Sequence, residues 1–185
     1  QPYAVVQQAR IAGQEPIPTL IELLEEFPET RFNIDIKADA ALAPTMEIIR
    51  RMSVIDRVCI GSFSERRLRA ARRAAGPRLA TSAGQLGVGA LRLAPTQLSR
   101  LLHTPAPALQ IPMAHRLKGR QIEIVTQAFV DVAHRLGKHV HVWFHSWSTE
   151  DADQMNRLFD LGVDAIVSDH IDVLKDVLIA RGASL

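Results

Sequence analysis

The segment RFNIDIKA, residues 31–38, alternates apolar and polar side chains with the two-residue period of a β-strand. Its apolar face is formed by Phe32, Ile34 and Ile36, and its other face by Asn33, Asp35 and Lys37. In an α/β protein the apolar face is expected to lie under the helices. Opposite charges two residues apart on the other face indicate either a structural ion pair or part of a functional site.

Five more runs of strand length follow: RVCIGSF (57–63), RLATSA (78–83), ALQIP (108–112), HVHVWF (139–144) and DAIVSD (164–169). Helical patterns are predicted at 17–27, 121–137, from Ser148 or Asp151 to Gly162, and at 171–181. Thr19 and Glu22 form a capping-box signature, and Gly137 is placed to end the second of these helices. No hairpin signal is evident between strands. The pattern therefore predicts parallel strands joined by helical crossovers.

Two architectures suit this pattern, an open doubly wound sheet and a (β/α)8 barrel. A nucleotide-binding open sheet usually has a glycine-rich turn after its first strand. The nearest approach is GQLGVG (84–89), which does not lead directly into a strong helix. We therefore predict an α/β fold of the (β/α)8 TIM-barrel class. Only six strands are found, and a helix precedes the first of them, so at least one further strand is expected upstream.

Composition restricts the function classes. The 185 residues are 47% hydrophobic and carry a net charge of +2, which is too small an excess to indicate a nucleic-acid partner. The arginine-rich run ERRLRAARR (65–73) has an apolar stripe, so its arginines are predicted to coat the outer face of a helix. The single cysteine, Cys59, excludes an intramolecular disulfide and is predicted to be inert. No apolar run is long enough to span a membrane. The compartment and the oligomeric state are left open.

Polar residues cluster at the carboxyl ends of the predicted strands, where TIM barrels place their chemistry. They are Asp35, Lys37, Ser62, Thr81, Ser82, Gln110, Trp143, His145, Ser168 and Asp169. A carboxylate such as Asp35 can hold a divalent cation, while the Lys37 ammonium can neutralise a phosphoryl oxygen. One carboxylate is too few for Mg²⁺ or Ca²⁺. Asp169 could supply another ligand, but it is predicted instead to be the N-cap of the last helix.

The HVHVWFH segment places alternate side chains on one face. His139 and His141 lie at the beginning of the strand, so we predict a packed or partly exposed pair rather than a metal site. Trp143 lies near the carboxyl end. It could line a small polyol or headgroup pocket, or it could be a core residue; the sequence does not decide between these alternatives.

The chain resembles the glycerophosphodiester phosphodiesterase family of metal-dependent hydrolases on a (β/α)8 barrel. The matching stretches are IPTLIELLEEFP, NIDIK, the SF of IGSF, AFVDVAHRLGKHVHVWF and LGVDAIVSDHIDVL. The resemblance implies that Asp35 is a metal ligand, that Lys37 contacts the phosphate and that Trp143 lines the glycerol side. It further implies hydrolysis of a glycerophosphodiester to an alcohol and glycerol 3-phosphate, with Mg²⁺ or Ca²⁺. Two departures stand out: position 35 is usually Glu, and FHSW follows where Thr and Asn are usual.

The family's opening His-Arg-Gly, Glu-Asn and Asp-x-His segments are absent. Residues 1–185 are thus expected to form a single partial TIM-barrel domain that lacks strands 1 and 2 and the acid–base histidines. On its own, this fragment is expected to be inactive, poorly stable and prone to associate. Its expected partner is a small glycerophosphodiester or lysophospholipid substrate. The alternatives are a non-catalytic binding protein derived from the barrel, a lysophospholipid-cleaving relative, and a Schiff-base enzyme that uses Lys37.

Overall fold

A computed structural model describes residues 3–84, 88–89, 104–117 and 119–183 of the chain. The strands are β1 (Arg10–Ile11), β2 (Glu15–Pro16), β3 (Phe32–Asp35), β4 (Val58–Gly61), β5 (Ala80–Thr81), β6 (Ala108–Pro112), β7 (Ala114–Leu117), β8 (Arg120–Glu123), β9 (His139–Trp143) and β10 (Ala165–Val167). The α-helices are α1 (Tyr3–Val6), α2 (Leu20–Glu26), α3 (Asp39–Arg51), α4 (Glu65–Ala75), α5 (Gln127–Arg135), α6 (Ala152–Asp160) and α7 (Ile171–Ala180), and a 3₁₀ turn spans Ile55–Arg57. No helix within these ranges is long and apolar enough to cross a membrane.

All six predicted strands are present, and they are parallel. Strands β3, β4 and β5 pair in chain order, and so do β6, β9 and β10. A parallel bridge between Ser82 and Ala108 joins the two sets. The order does not reverse at a switch point, which excludes the doubly wound alternative and is the order of a (β/α)8 barrel. Within the described ranges no pairing joins β3 to β10. The short hairpin strands β1 and β2 do not pair with β3. That two further strands of the barrel lie upstream of residues 1–185 stays a prediction.

The sheet curves strongly enough for strands that are not neighbours to touch. The Nε2 group of Gln110 on β6 donates a hydrogen bond of 2.8 Å to Oδ1 of Asn33 on β3, although β4 and β5 lie between these strands. A flat sheet would hold two such strands roughly 14 Å apart. The contact therefore defines a concave, polar inner face.

The predicted alternation of RFNIDIKA is confirmed. Phe32, Ile34 and Ile36 pack in one apolar cluster with residues of the covering helices, including Ile49 and Leu68. A second cluster joins β6 and β9 to α5 and α6, and contains Ile111, Val140, Val142, Phe129 and Leu158. The helices thus cover the convex face of the sheet, and the polar side chains of the strands are left on the concave face.

The helix ends follow their capping residues. Thr19 and Glu22 form the predicted capping box at the start of α2. Asp151 caps α6 by accepting a hydrogen bond from the Gln154 N–H. Gly137 follows α5 with a φ of +66°, a left-handed conformation that ends a helix at little cost in glycine.

Two predictions about the elements are wrong. Residues 120–123 do not belong to a helix at 121–137, because they pair antiparallel with 114–117 as the hairpin β7–β8. Helix α5 starts only after Thr126, whose hydroxyl accepts a hydrogen bond from the Phe129 N–H. Antiparallel pairing also joins β1 to β2, so hairpins do interrupt the parallel series. The GQLGVG stretch lies largely outside the described residues.

A carboxylate ties together the amino-terminal ends of β9 and β10. Asp164 accepts a 2.7 Å hydrogen bond from the Val140 N–H, and its Oδ2 lies 2.8 Å from His134 Nε2. Partial burial raises the pKa of Asp164, but the Val140 N–H and then His134 outweigh that effect, so its pKa falls below the usual value.

A depressed carboxylate pKa stabilises the fold above the unfolded-state pKa of about 3.9, and this stabilisation is lost as the pH falls through the lower folded-state pKa. We therefore expect D164N to melt at a lower temperature than the wild type at neutral pH, and the difference in melting temperature to shrink as the pH falls below about 3.9 and through the folded-state pKa of Asp164. Thermal unfolding across this range tests the prediction. D56N, which breaks an exposed pair with Arg78, is the control and should change little at any pH. A difference in melting temperature between D164N and the wild type that does not depend on pH would contradict the prediction.

Candidate active site

Lys37 and Asp35 form an exposed ion pair at the carboxyl end of β3. The Lys37 Nζ lies 2.7 Å from Asp35 Oδ2, and the two side chains are 77% and 38% exposed. Exposed pairs contribute little to stability, typically about 0–1 kcal/mol, so this pair does little for the fold. Because the pair is accessible, both charged groups can contact a ligand at the carboxyl ends of the parallel strands, on the concave side of the sheet. We call this region the mouth.

A tightly packed polar layer lies beside this pair. Gly61 on β4 is in register with Asp35, and a Cβ atom at this position would lie 2.9 Å from Oε1 of Gln110. Glycine here lets the Gln110 side chain reach across to Asn33. Cys59 lies in the same region, and burial raises the pKa of its thiol to about 11. The thiol is therefore protonated at neutral pH and inert, which agrees with the sequence prediction.

Three of the four predicted strand-end hydroxyls are structural. Ser62, Thr81 and Ser82 are all buried. The Ser62 hydroxyl donates to the Ile36 carbonyl over 2.8 Å, and the Thr81 hydroxyl accepts from Arg72. These residues hold strand ends in place and do not face the mouth as free donors.

The sequence predicted that the arginines of α4 coat its outer face. This prediction is wrong for two of them. The Arg66 side chain is exposed, but those of Arg67 and Arg72 are each only 17% exposed and reach back to the strand ends. They flank the buried stripe formed by Leu68 and Ala71. Their positions follow from tertiary packing, which the local pattern does not contain.

Trp143 ends β9 and begins a row of aromatic rings. Its centroid lies 6.1 Å from that of Phe63, which follows β4, and 4.6 Å from that of His145. His145 stacks on Trp147 at 4.9 Å, and the Arg116 guanidinium lies 4.3 Å from the centroid of the Trp147 ring. The contact with Phe63 again joins strands that are not neighbours. It places Trp143 on the concave side, half-buried, as a wall of the mouth.

Trp147 was not among the residues predicted from the sequence, although a signal was present. Trp143, His145 and Trp147 recur at every second position, which is the spacing of side chains on one side of a strand. In the structure the chain turns after β9, and the Ser148 N–H donates to the His145 carbonyl over 2.8 Å. Burial, followed by repulsion from His115, lowers the pKa of His145, so the imidazole is neutral at pH 7.

Asp169 lies near the ends of β9 and β10, where Phe144, His145, Ser148, Glu150 and His170 line a cavity of about 260 Å³ with it. The prediction that Asp169 caps the last helix is wrong, because the N-cap of α7 is His170, without a side-chain cap bond. The Asp169 N–H instead donates to Glu150 Oε1 over 2.9 Å. The chain turns here before the helix starts, which moves the carboxylate out of capping range.

The described ranges contain no group of three or more His, Cys, Asp or Glu side chains placed to hold a metal ion. His139 and His141 lie at the start of β9, their centroids 6.5 Å apart, with His139 exposed and His141 half-buried. Asp35 offers one carboxylate where Ca²⁺ takes six to eight oxygen ligands. The described donors thus do not by themselves form a divalent-cation site.

These features define a barrel-type α/β protein with a charged pair and aromatic residues at the carboxyl ends of its strands. Residues 3–173 match the profile of the glycerophosphoryl diester phosphodiesterase family. The chain is also 40% identical over 181 residues to a Mycobacterium tuberculosis protein named "Probable glycerophosphodiester phosphodiesterase 2". The match covers 96% of this chain and 66% of that relative. The chain belongs to the glycerophosphoryl diester phosphodiesterase family, as the resemblance predicted.

Solved structures show the same fold. A glycerophosphodiester phosphodiesterase from Parabacteroides distasonis aligns with a TM-score of 0.69 and 17% identity, covering 98% of this chain and 72% of that one. A glycerophosphodiester phosphodiesterase from Agrobacterium tumefaciens aligns with a TM-score of 0.63 and 16% identity, and the alignment covers 90% of this chain and 63% of that one. At such identities the likeness establishes the fold alone. The chain spans slightly less than two thirds of the length of the curated relative.

Proposed function

We propose that this chain forms the phosphate-binding side of an enzyme that hydrolyses glycerophosphodiesters to an alcohol and glycerol 3-phosphate. The observation that carries the proposal is the exposed Lys37–Asp35 pair at the mouth of the sheet. Family membership and the 40% identical relative support the reaction class. In this reaction water attacks phosphorus, the bond from phosphorus to the alcohol oxygen breaks, and a proton passes to the departing alcohol.

Lys37 has the chemistry to hold the phosphodiester. Its ammonium offers three N–H donors and a positive charge, and charge-assisted bonds of this kind to phosphate oxygens are short and strong. Because the side chain is largely exposed, a phosphate can reach it without displacing any core residue. The ammonium would also attract the charge that builds on the phosphoryl oxygens during attack.

Asp35 is proposed as one ligand of a divalent cation, Mg²⁺ or Ca²⁺. Its carboxylate is accessible and its recorded ion pair is the one with Lys37. Such a cation would polarise a phosphoryl oxygen. The remaining ligands and the acid–base histidines are proposed to lie outside residues 1–185.

Trp143 is proposed to line the glycerol side. We expect W143A to raise KM by about tenfold with kcat changed much less, because the flat ring contributes contact in the ground state and the transition state alike. W143F should retain most of the affinity, since it keeps an aromatic face beside Phe63. Steady-state kinetics on glycerophosphodiesters measure both variants. A W143A enzyme whose KM is unchanged would exclude this contact.

Release of glycerol 3-phosphate from glycerophosphodiesters tests the proposed function. The protein is expressed from its complete reading frame and assayed with Mg²⁺ or Ca²⁺, beside residues 1–185 alone. We expect turnover by the former and none by the latter, and association of the latter through its sheet edges. Metal-dependent turnover by residues 1–185 alone would overturn the proposal that the acid–base groups lie elsewhere. Absence of turnover in both would overturn the proposed function.

A further inference from the structure

The backbone that carries Lys37 leaves the sheet immediately after its last ladder bond. That bond runs from the Ile36 N–H to the Gly61 carbonyl over 2.9 Å. Lys37 lies one residue further on, so its position depends on what holds the chain beyond the strand. The Lys37 carbonyl oxygen accepts a hydrogen bond of 2.7 Å from Nη1 of Arg67.

The same guanidinium binds the neighbouring strand end. The Nε of Arg67 donates to the Ser62 hydroxyl over 2.9 Å, and this hydroxyl donates to the Ile36 carbonyl over 2.8 Å. The Ser64 N–H adds a further bond to the Ser62 hydroxyl. Arg67 and Ser62 thus hold the two consecutive carbonyls of Ile36 and Lys37, where the chain leaves the sheet.

The anchor behind these bonds is rigid. Arg67 projects from α4, which Ser64 caps and whose Leu68 and Ala71 are fully buried. The Arg67 side chain is only 17% exposed, so water cannot readily replace its bonds. Two donors at fixed angles reach two different acceptors, which a guanidinium fork provides and a lysine ammonium does not.

We propose that Arg67 is a positioning residue for Lys37: its largely buried guanidinium fixes the backbone from which the ammonium reaches the mouth of the barrel. The kinetic part of this inference rests on the proposed function. Misplacing a substrate-binding group by about 1 Å can cost 10²-fold in rate. The functional weight of Arg67 is therefore larger than its contribution to the fold alone.

Helix α4 offers two matched controls. Arg72 is as buried as Arg67 and also donates to a hydroxyl and a carbonyl, those of Thr81 and Ser82, but at the end of β5. Arg66 is exposed and pairs with Asp39. R72Q therefore reports a loss of stability without a loss of Lys37 position. R66Q removes a surface charge and leaves Asp39, whose Oδ1 lies 3.5 Å from Nη1 of Arg67, paired with Arg67 alone.

The first measurement is acylation of the Lys37 amine, followed by peptide mass spectrometry; it needs no activity. With Arg67 replaced, the Lys37 ammonium should no longer be held beside Asp35. Its acylation should then be about threefold faster, because an exposed ion pair contributes a free energy that corresponds to a change of this size. We expect this for R67Q and, through the same link, for S62A, which is a milder variant should R67Q fold poorly. R72Q and R66Q should label as the wild type does. Equal labelling of Lys37 in R67Q, S62A and R72Q would overturn the proposal.

The second measurement is kcat/KM of the protein expressed from its complete reading frame. R67Q should lose about 10²-fold and R72Q far less. R67K should lose nearly as much as R67Q, because it keeps the charge but not the fork. Wild-type activity in R67K would show that Arg67 acts through its charge, which overturns positioning. If no variant and no wild-type protein turns over, the proposed function fails, and the labelling result still decides the role of Arg67.

Discussion

Replacing Lys37 by methionine is expected to lower kcat/KM for glycerophosphodiester hydrolysis by about 10³-fold, the upper end for losing one donor to a developing negative charge. Methionine keeps most of the apolar stem and removes the ammonium. The pair with Asp35 is exposed, so the fold should lose little stability. Steady-state kinetics and thermal unfolding on the same preparation separate the two effects.

The control for this variant is K175M. Lys175 is an exposed lysine on α7, so the substitution makes the same chemical change away from the mouth. Its kcat/KM should match that of the wild type. Wild-type activity in K37M, or an equal loss in K175M, would mean that Lys37 does not bind the phosphate.

Replacing Asp35 by asparagine is expected to lower kcat/KM by about 10²-fold and to raise the Mg²⁺ or Ca²⁺ concentration needed for half-maximal rate. Asparagine keeps the shape of the side chain and removes its charge, so the cation loses a ligand of the kind it prefers. D35E keeps the carboxylate, on a side chain that is one methylene longer. It should therefore retain most of the activity, with a changed preference between Mg²⁺ and Ca²⁺.

The metal dependence of D35N is the informative readout, because loss of the Lys37 partner alone would not alter it. D56N serves as the control, since Asp56 is likewise an exposed aspartate in an ion pair, in its case with Arg78. An unchanged cation requirement in D35N would mean that Asp35 acts through Lys37 and does not bind the metal.

Local pattern was enough to predict the six parallel strands. The alternation in RFNIDIKA identified β3 and assigned its apolar face correctly, because a side-chain period of two depends only on backbone geometry. The hairpin at 114–123 was missed because Lys118–Gly119 is not one of the two-residue loops that signal a hairpin. The helix predicted at 121–137 also included most of β8.

The candidate site was only partly predictable. Asp35, Lys37 and Trp143 were predicted from their positions at strand ends, because parallel strands in a barrel bring their carboxyl ends together. The contacts of Arg67 with residues 37 and 62 were not predictable, because they depend on how α4 settles against the sheet. The same holds for the contact of Gln110 with Asn33, which requires the curvature of four consecutive strands.

The two apolar clusters have a consequence for how the domain opens. One cluster belongs to β3–β5 with their helices and the other to β6, β9 and β10 with theirs. Between the two halves, the described backbone contributes the bridge of Ser82 with Ala108, which includes the bond from the Ala83 N–H to the Ala108 carbonyl. Each half therefore has its own apolar core, which can stay folded when the other half unfolds. Local opening is then expected to proceed by halves, with amide protons exchanging as two cooperative groups and the mouth loosening where those groups meet.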